Sequence, residues 1–276
     1  MTRTTPISGL PWRAADVPVH EAKRDVVASD SVLFHRLVSS SFLEITASAY
    51  TRNLVAYYAD DAEIHDWLVR IWEPEEVNHG EAMRRYVEAI WPDYDWSLAY
   101  TAFHDEYTRM CRVEDLHGSL ALEMVARCVT ETETAATYKM LARYTEEPVL
   151  CDLLQRMYRD EVRHYGYFLG YFRRYAEIER PSQVRIIHTM LERTSEVGDT
   201  DLGTTLEHVQ RGWTGRPEVA PCTAADLATA CKRIARDHCD YGLARRMLVQ
   251  PLDWGNDSWR GRAVEQRVRH RIEAMA

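Results

Sequence analysis

Residues 74–83 read PEEVNHGEAM, and residues 159–168 read RDEVRHYGYF. Each stretch sets a glutamate three positions before a histidine, Glu76 with His79 and Glu161 with His164. Each also carries a second acid just ahead, Glu75 and Asp160. Gly and Pro are scarce between 31 and 90 and between 118 and 175, and apolar residues there recur every three and four positions, so both stretches read as helix. Residues three apart on a helix lie about 60° around its axis and nearly one turn along it. Each pair therefore aims a carboxylate and an imidazole into one small volume, where they can chelate a metal ion.

Outward from these stretches, the same periodicity predicts helices over 31–58, 61–90, 118–145, 147–176, 181–197, 223–248 and 258–274. Breaks fall at WPDYDW from 91, EEP from 146, ERP from 179 and GWTGRPEVAP from 212, and residues 1–30 read as an irregular arm. No window alternates with strand period, no unit of 20–50 residues repeats, and no low-complexity segment occurs. The expected class is all-α: a bundle of long helices over 31–180, with 181–276 packed on it as further helices of a single domain. The first four helices exceed 20 residues, at least about 30 Å each at 1.5 Å per residue.

With 276 residues and 46% hydrophobic content the chain can bury a sizeable core. It has no run of about 18 apolar residues and no apolar leader near its start, so a soluble, cytoplasmic protein without a membrane partner is expected. Six cysteines without a CxxC pair point to reduced, packed thiols. A net charge of -9 argues against nucleic-acid binding, which draws on clustered positive charge.

One ExxH pair is commonly an exposed acid beside a locally paired histidine; two on two long helices call for a shared reason. Carboxylate-bridged di-iron bundles use two such pairs plus one Glu from each of two other helices. The helix over 31–58 holds a single acid, Glu44, among Leu37, Ser40, Ser41, Ala47 and Ser48. Burying that carboxylate is costly unless a positive group meets it. The helix over 118–145 offers Glu131 and Glu133, which differ by about 200° around the axis, so one of them faces the site and periodicity leaves the choice open. Four carboxylates and two imidazoles form a hard, oxygen-rich set suited to paired iron, or iron with manganese, rather than zinc.

At these residues the chain resembles the ferritin-like acyl-carrier-protein desaturases, soluble di-iron enzymes of plant plastids and actinobacteria. WLVRIWEPEEVNHGEAMRRYVE at 67–88 is similar to the family's W-x-x-x-W-x-x-E-E-x-x-H-G segment, with Trp72, Glu75, Glu76, His79 and Gly80 in register. Trp67 departs from it, lying five residues before Trp72 rather than four. RDEVRH at 159–164 is similar to the second motif, D-E-x-R-H, at every fixed position. The resemblance is nearest to the short mycobacterial members and spans about residues 31–175; the segment beyond 180 has no clear counterpart.

The resemblance implies Glu131 rather than Glu133 as the third-helix ligand, since Glu131 lies 30 residues before Glu161 and precedes Thr134 by three. It implies Glu75 and Asp160 as partners that orient the histidines, and Thr134 beside the oxygen-binding position. The implied reaction is oxygen-dependent removal of two hydrogens from a fatty acyl chain borne by acyl carrier protein, in a homodimer. Its two electrons come from a ferredoxin-type donor, because no GxGxxG fingerprint marks a flavin or nicotinamide site. The small face around Glu44 and the aromatic run RHYGYFLGYF from 163 are candidates to line the substrate slot. Arg260, Arg262, Arg267, Arg269 and Arg271 are candidates to dock an acidic carrier or donor. The rival readings are a di-iron oxygenase of specialised metabolism acting on another small or carrier-bound substrate, and a non-catalytic ferritin-like scaffold.

Overall fold

The computed structural model describes residues 9–196, 202–256 and 258–274. The first eight residues of the expected arm, residue 197 at the end of an expected helix, and the Arg271 side chain lie outside the described residues. In chain order the helices are α1 (Arg24–Val27), α2 (Ser31–Ile45), α3 (Ala47–Tyr57), α4 (Ala62–Trp67), α5 (Glu73–Ile90), α6 (Trp96–Met110) and α7 (Leu120–Tyr144). They continue as α8 (Pro148–Glu179), α9 (Gln183–Glu196), α10 (Leu202–Val209), α11 (Ala224–His238), α12 (Tyr241–Val249) and α13 (Trp259–Ala274). The protein is all-α; among the described residues the sole extended pairing is an isolated bridge between Tyr94 and Trp213.

The long elements start where side chains satisfy their first free amides. Asp30 accepts from Val32 and Leu33 at α2, Ser119 accepts from Leu122 at α7, and Glu147 accepts from Leu150 at α8, where Pro148 opens the helix. α7 packs lengthwise on α8, and α2 on α5. Burial divides into two apolar clusters. Along α8 the first ends at Met157 and the second begins at Tyr165, and Asp160, Glu161 and His164 occupy the interval.

Several boundaries differ from expectation. The helix expected over 31–58 breaks at Thr46, whose hydroxyl donates to Phe42 O and competes with the backbone ladder. The helix expected over 61–90 contains a π-helical turn at Leu68–Trp72. That wider turn absorbs the extra residue between Trp67 and Trp72. Both indoles still reach the same ring of α8, with Phe168 at 4.9 Å from Trp67 and 5.8 Å from Trp72. The helix expected over 223–248 divides where Asp240 caps α12 through Leu243 N. Helices α6 and α10 were not anticipated. The buried face of α6 is Trp96, Ala99, Phe103 and Tyr107, a helical spacing in which the three aromatic residues have only middling helix propensity. The expected irregular arm contains 3-10 turns at Ala14–Asp16 and Val19–Glu21 as well as α1, and it buries Trp12, Ala14 and Val17.

The segment beyond 180 packs on the bundle: α9 against α7, α10 against α2 and α6, and α12 against α7. Arg269 of α13 lies over the Tyr241 ring and pairs with Glu265, and Arg260 lies over Trp254 and Trp259. All six cysteines are free thiols. No helix among the described residues is long and apolar enough to cross a membrane.

Gly80 marks the closest approach of α5 to α2. A Cβ there would lie 2.5 Å from Ile45 Cγ1, 2.7 Å from Ile45 N and 2.9 Å from Ser41 O. Two of those contacts are backbone atoms that cannot rotate away. Gly80→Ala is expected to destabilise the protein by about 1–3 kcal/mol through overpacking. Urea denaturation would measure it, and an unchanged midpoint would show that the helices separate without cost.

Candidate metal centre

Four helices bring six side chains to one point: Glu44 from α2, Glu76 and His79 from α5, Glu131 from α7, and Glu161 and His164 from α8. None is more than 8% exposed. They form two overlapping groups, Glu44–Glu76–His79–Glu161 and Glu76–Glu131–Glu161–His164. Within each group one ligand atom per residue lies within 4.8 Å of the others. Glu76 and Glu161 belong to both, so a two-ion site would share them, with Glu44 and His79 at one end and Glu131 and His164 at the other. Glu133, the alternative left open by periodicity, belongs to neither group and sits half-buried on a neighbouring cavity wall.

Each imidazole is held by its far nitrogen. His79 Nε2–H donates to Asp160 Oδ2 at 3.1 Å, and His164 Nε2–H donates to Glu75 Oε2 at 2.7 Å. These bonds set the ring orientation and leave each Nδ1 for the centre. Arg163 donates to both acids, to Glu75 Oε2 at 2.6 Å and Asp160 Oδ1 at 2.7 Å. Trp12 donates from Nε1 to Asp160 Oδ2 at 2.8 Å and stacks on the His79 ring with centroids 5.8 Å apart. The end carboxylates are held too: Trp72 Nε1 donates to Glu131 at 3.2 Å, and the Tyr138 hydroxyl donates to Glu44.

The atoms facing inward are unsatisfied. Glu44 Oε2, Glu76 Oε1, Glu161 Oε1 and both Nδ1 atoms are buried without a hydrogen bond. His79 Nδ1 lies 3.1 Å from Glu161 and His164 Nδ1 lies 2.8 Å from Glu76, at ion-pair reach but not aligned for a hydrogen bond. Orphaned buried polar atoms cost roughly 1–3 kcal/mol each, so five converging from three helices is an arrangement that suits a cation. Four carboxylates match the charge of two divalent ions, and the oxygen-rich donors with one imidazole each fit iron or manganese.

Without metal, protons take the cations' place. Burial raises Glu44 well above the carboxylate range, with Glu76 adding repulsion. Burial likewise pushes Glu76 up to about 7 and Glu131 up to about 8. Burial also opposes ionisation of Glu161, but His164 and His79 outweigh it and hold that carboxyl well below its ordinary value. Burial alone would neutralise the imidazoles; instead Asp160 and Glu161 push His79 up to about 10, and four glutamates hold His164 well above its ordinary value. Glu75 and Asp160 stay low despite burial, through His164, His79 and Arg163.

A cavity of about 180 Å³ opens against Glu44, Glu76, Glu131 and Glu161. Ser40 and Ala47 from the small face around Glu44 line it, as does Thr134, whose hydroxyl donates to Thr130 O at 3.0 Å. The aromatic run of α8 does not line it: Tyr165, Phe168 and Phe172 are buried in the second apolar cluster with Trp67 and Trp72. Arg36, Arg127 and Arg193 stand on the cavity wall instead. Trp12 was missed in the sequence because a lone tryptophan in a Pro- and Gly-containing arm carries no periodic signal. Arg163 lay in plain view inside RDEVRH, three residues after Asp160, one of the two acids it bridges.

Over roughly pH 5–10 the folded metal-free protein binds more protons than the unfolded chain, through Glu76, Glu131 and His79, so its stability falls as pH rises across that window. Thermal denaturation should give a higher midpoint near pH 6 than near pH 9, and iron(II) should raise the midpoint more near pH 9, because metal displaces the protons. A metal-free midpoint that rises with pH would show that the cluster does not hold them. A scan against protein-family models matches no family and no curated protein matches the chain, so the geometry of the centre carries the functional reading.

Proposed function

We propose that the chain is an oxygen-dependent dimetal oxidoreductase. The observation that carries this reading is the pair of overlapping ligand groups sharing Glu76 and Glu161. Glu44 and His79 would hold one ion, Glu131 and His164 the other, with Glu76 and Glu161 between them. Two iron ions, or iron with manganese, supply reduction of oxygen coupled to oxidation of an unactivated C–H bond.

The protein's own residues supply position and insulation. Asp160 and Glu75 fix the imidazoles through their Nε2–H groups, and Arg163 offsets the charge of both acids. Trp72 and Tyr138 restrain the end carboxylates. The two apolar clusters above and below the acids in α8 keep bulk water from the site. Thr134, one turn from Glu131, lines the cavity, and its hydroxyl would exchange a proton with a bound substrate or with solvent on turning from Thr130 O.

For desaturation, one oxygen molecule, two hydrogens from the substrate, two external electrons and two protons give an alkene and two waters. The two helix motifs support a carrier-bound acyl chain as substrate and a ferredoxin-type donor for the electrons. The cavity favours the second reading, oxidation of another small substrate, because arginines and hydroxyl side chains share its wall with the metal ligands.

Protein produced with ample iron should contain about two metal ions per chain, as bundles of this ligand set do. The Glu76→Ala/Glu161→Ala variant should lose them while keeping its helical circular dichroism. Folded protein that takes no metal, or metal indifferent to the double variant, would sink the enzymatic reading and leave a scaffold. Gas chromatography of fatty acids from an expressing host then separates the substrates: a new double bond supports the acyl chain, and an unchanged profile with an oxygen-consuming centre supports the second reading.

A further inference from the structure

A second cavity, also of about 180 Å³, adjoins the first and shares Tyr50, Arg127 and Arg193 with it. Its wall adds Arg112, Tyr107 and Asn53 and, among the described residues, contains no acid. In a chain of net charge -9, three guanidiniums around one small opening are a local reversal of sign. Low-dielectric walls lined by one charge concentrate ligands of the other.

The inner cavity continues the pattern. Arg127 is 8% exposed and pairs with Glu123 at 2.8 Å, behind it on the same helix. It precedes Glu131 by four residues on α7, about 6 Å along the axis. Arg193 reaches in from α9 and donates from Nε to Thr130 Oγ1 at 3.0 Å. Arg36 comes from α2 with its Nε buried and without a hydrogen bond. Among the described residues, Glu133 is the acid on this wall besides the candidate metal ligands. Guanidinium forks present paired donors that match a planar carboxylate. Each cavity is smaller than the roughly 300–1,000 Å³ of pockets that enclose drug-sized ligands.

We propose that the substrate is a small organic carboxylate, which enters through the outer cavity and docks its carboxylate on Arg127 and Arg193, one helical turn from Glu131. This deepens the dimetal reading and rests on it. A short substrate anchored there presents a carbon only a few bonds from its carboxylate to the centre. The small walls at Ser40, Ala47 and Thr134 surround that carbon. The C-terminal helices thereby acquire a role, since α9 supplies Arg193 and α10 supplies Thr205 to the inner wall. A carrier protein's phosphopantetheine arm also bears an anion that these guanidiniums would attract, and it is the occupant the experiment must exclude.

Calorimetric titration of the full chain, metal-loaded and metal-free, with benzoate and hexanoate against benzamide and hexanamide tests this directly. The acids should bind at least about ten-fold more tightly than the amides, as charge-assisted pairing requires. Arg193→Met should abolish most of that preference, and so should Glu123→Gln/Arg127→Met, which removes the buried ion pair together and leaves no orphaned charge. Acids and amides that bind alike, or acids that fail to bind at millimolar concentration, would overturn the inference. So would an octanoyl carrier protein whose binding benzoate does not displace. Metal content of the same samples reports separately on the dimetal reading: absence of metal with retained acid preference defeats that reading alone.

Discussion

Four carboxylates and two imidazoles buried between four helices are the constraint on which this structure depends. Charges removed from water must be met by opposite charge or by aligned donors, or the fold opens to rehydrate them. Here the outer atoms are met and the inner ones are not. Asp160, Glu75, Trp72 and Tyr138 restrain the outward-facing atoms, while the inward oxygens and Nδ1 atoms converge without hydrogen bonds. Such an arrangement persists when protons or cations occupy its middle. Burial raises Glu76 and Glu131, and Asp160 and Glu161 raise His79, so protonation is favoured there when no metal is bound.

Much of the surrounding packing serves to hold those six groups. Gly80, next to His79, lets α5 approach α2 closely enough for Glu44 to join the group from the other helix. The π-helical turn before α5 widens the coil by one residue, so that Trp67 and Trp72 both lie on Phe168 while Glu76 and His79 keep their register. The arm folds back so that Trp12 reaches Asp160, and Asn78 anchors it by accepting from Ala14 N at 2.8 Å. Apolar clusters on either side of the acids in α8 separate them from solvent. Rigid support on helices rather than loops is what a multi-ligand centre requires.

The candidate metal centre and the cavity beside it are built by different parts of the chain. Residues 44–164 supply every ligand atom, whereas the cavity beside them is closed in part by α9 and α10. Arginines on that wall set its polarity against the chain's overall negative charge. An apolar slot would have been built from the aromatic run of α8, but those rings are occupied in packing against Trp67 and Trp72.

The sequence by itself determined the all-α class, the long helices and the two ExxH pairs, because helical period is local and repeats along each element. It also singled out Glu44 as the sole acid of its helix. Periodicity left Glu131 and Glu133 undecided, since both had small or apolar neighbours; the family resemblance pointed to Glu131, and the rotation of α7 against α8 brings that residue into the group. The break at Thr46 and the extents of α6 and α10 were illegible for a related reason: a single hydroxyl, or a short aromatic face, carries too little periodic signal. Trp12, Tyr138 and the arginines of the cavity come from segments distant along the chain. Their meeting at one centre was decided by tertiary packing alone, because a side chain's partner across helices depends on crossing angle and rotation, which no local pattern encodes.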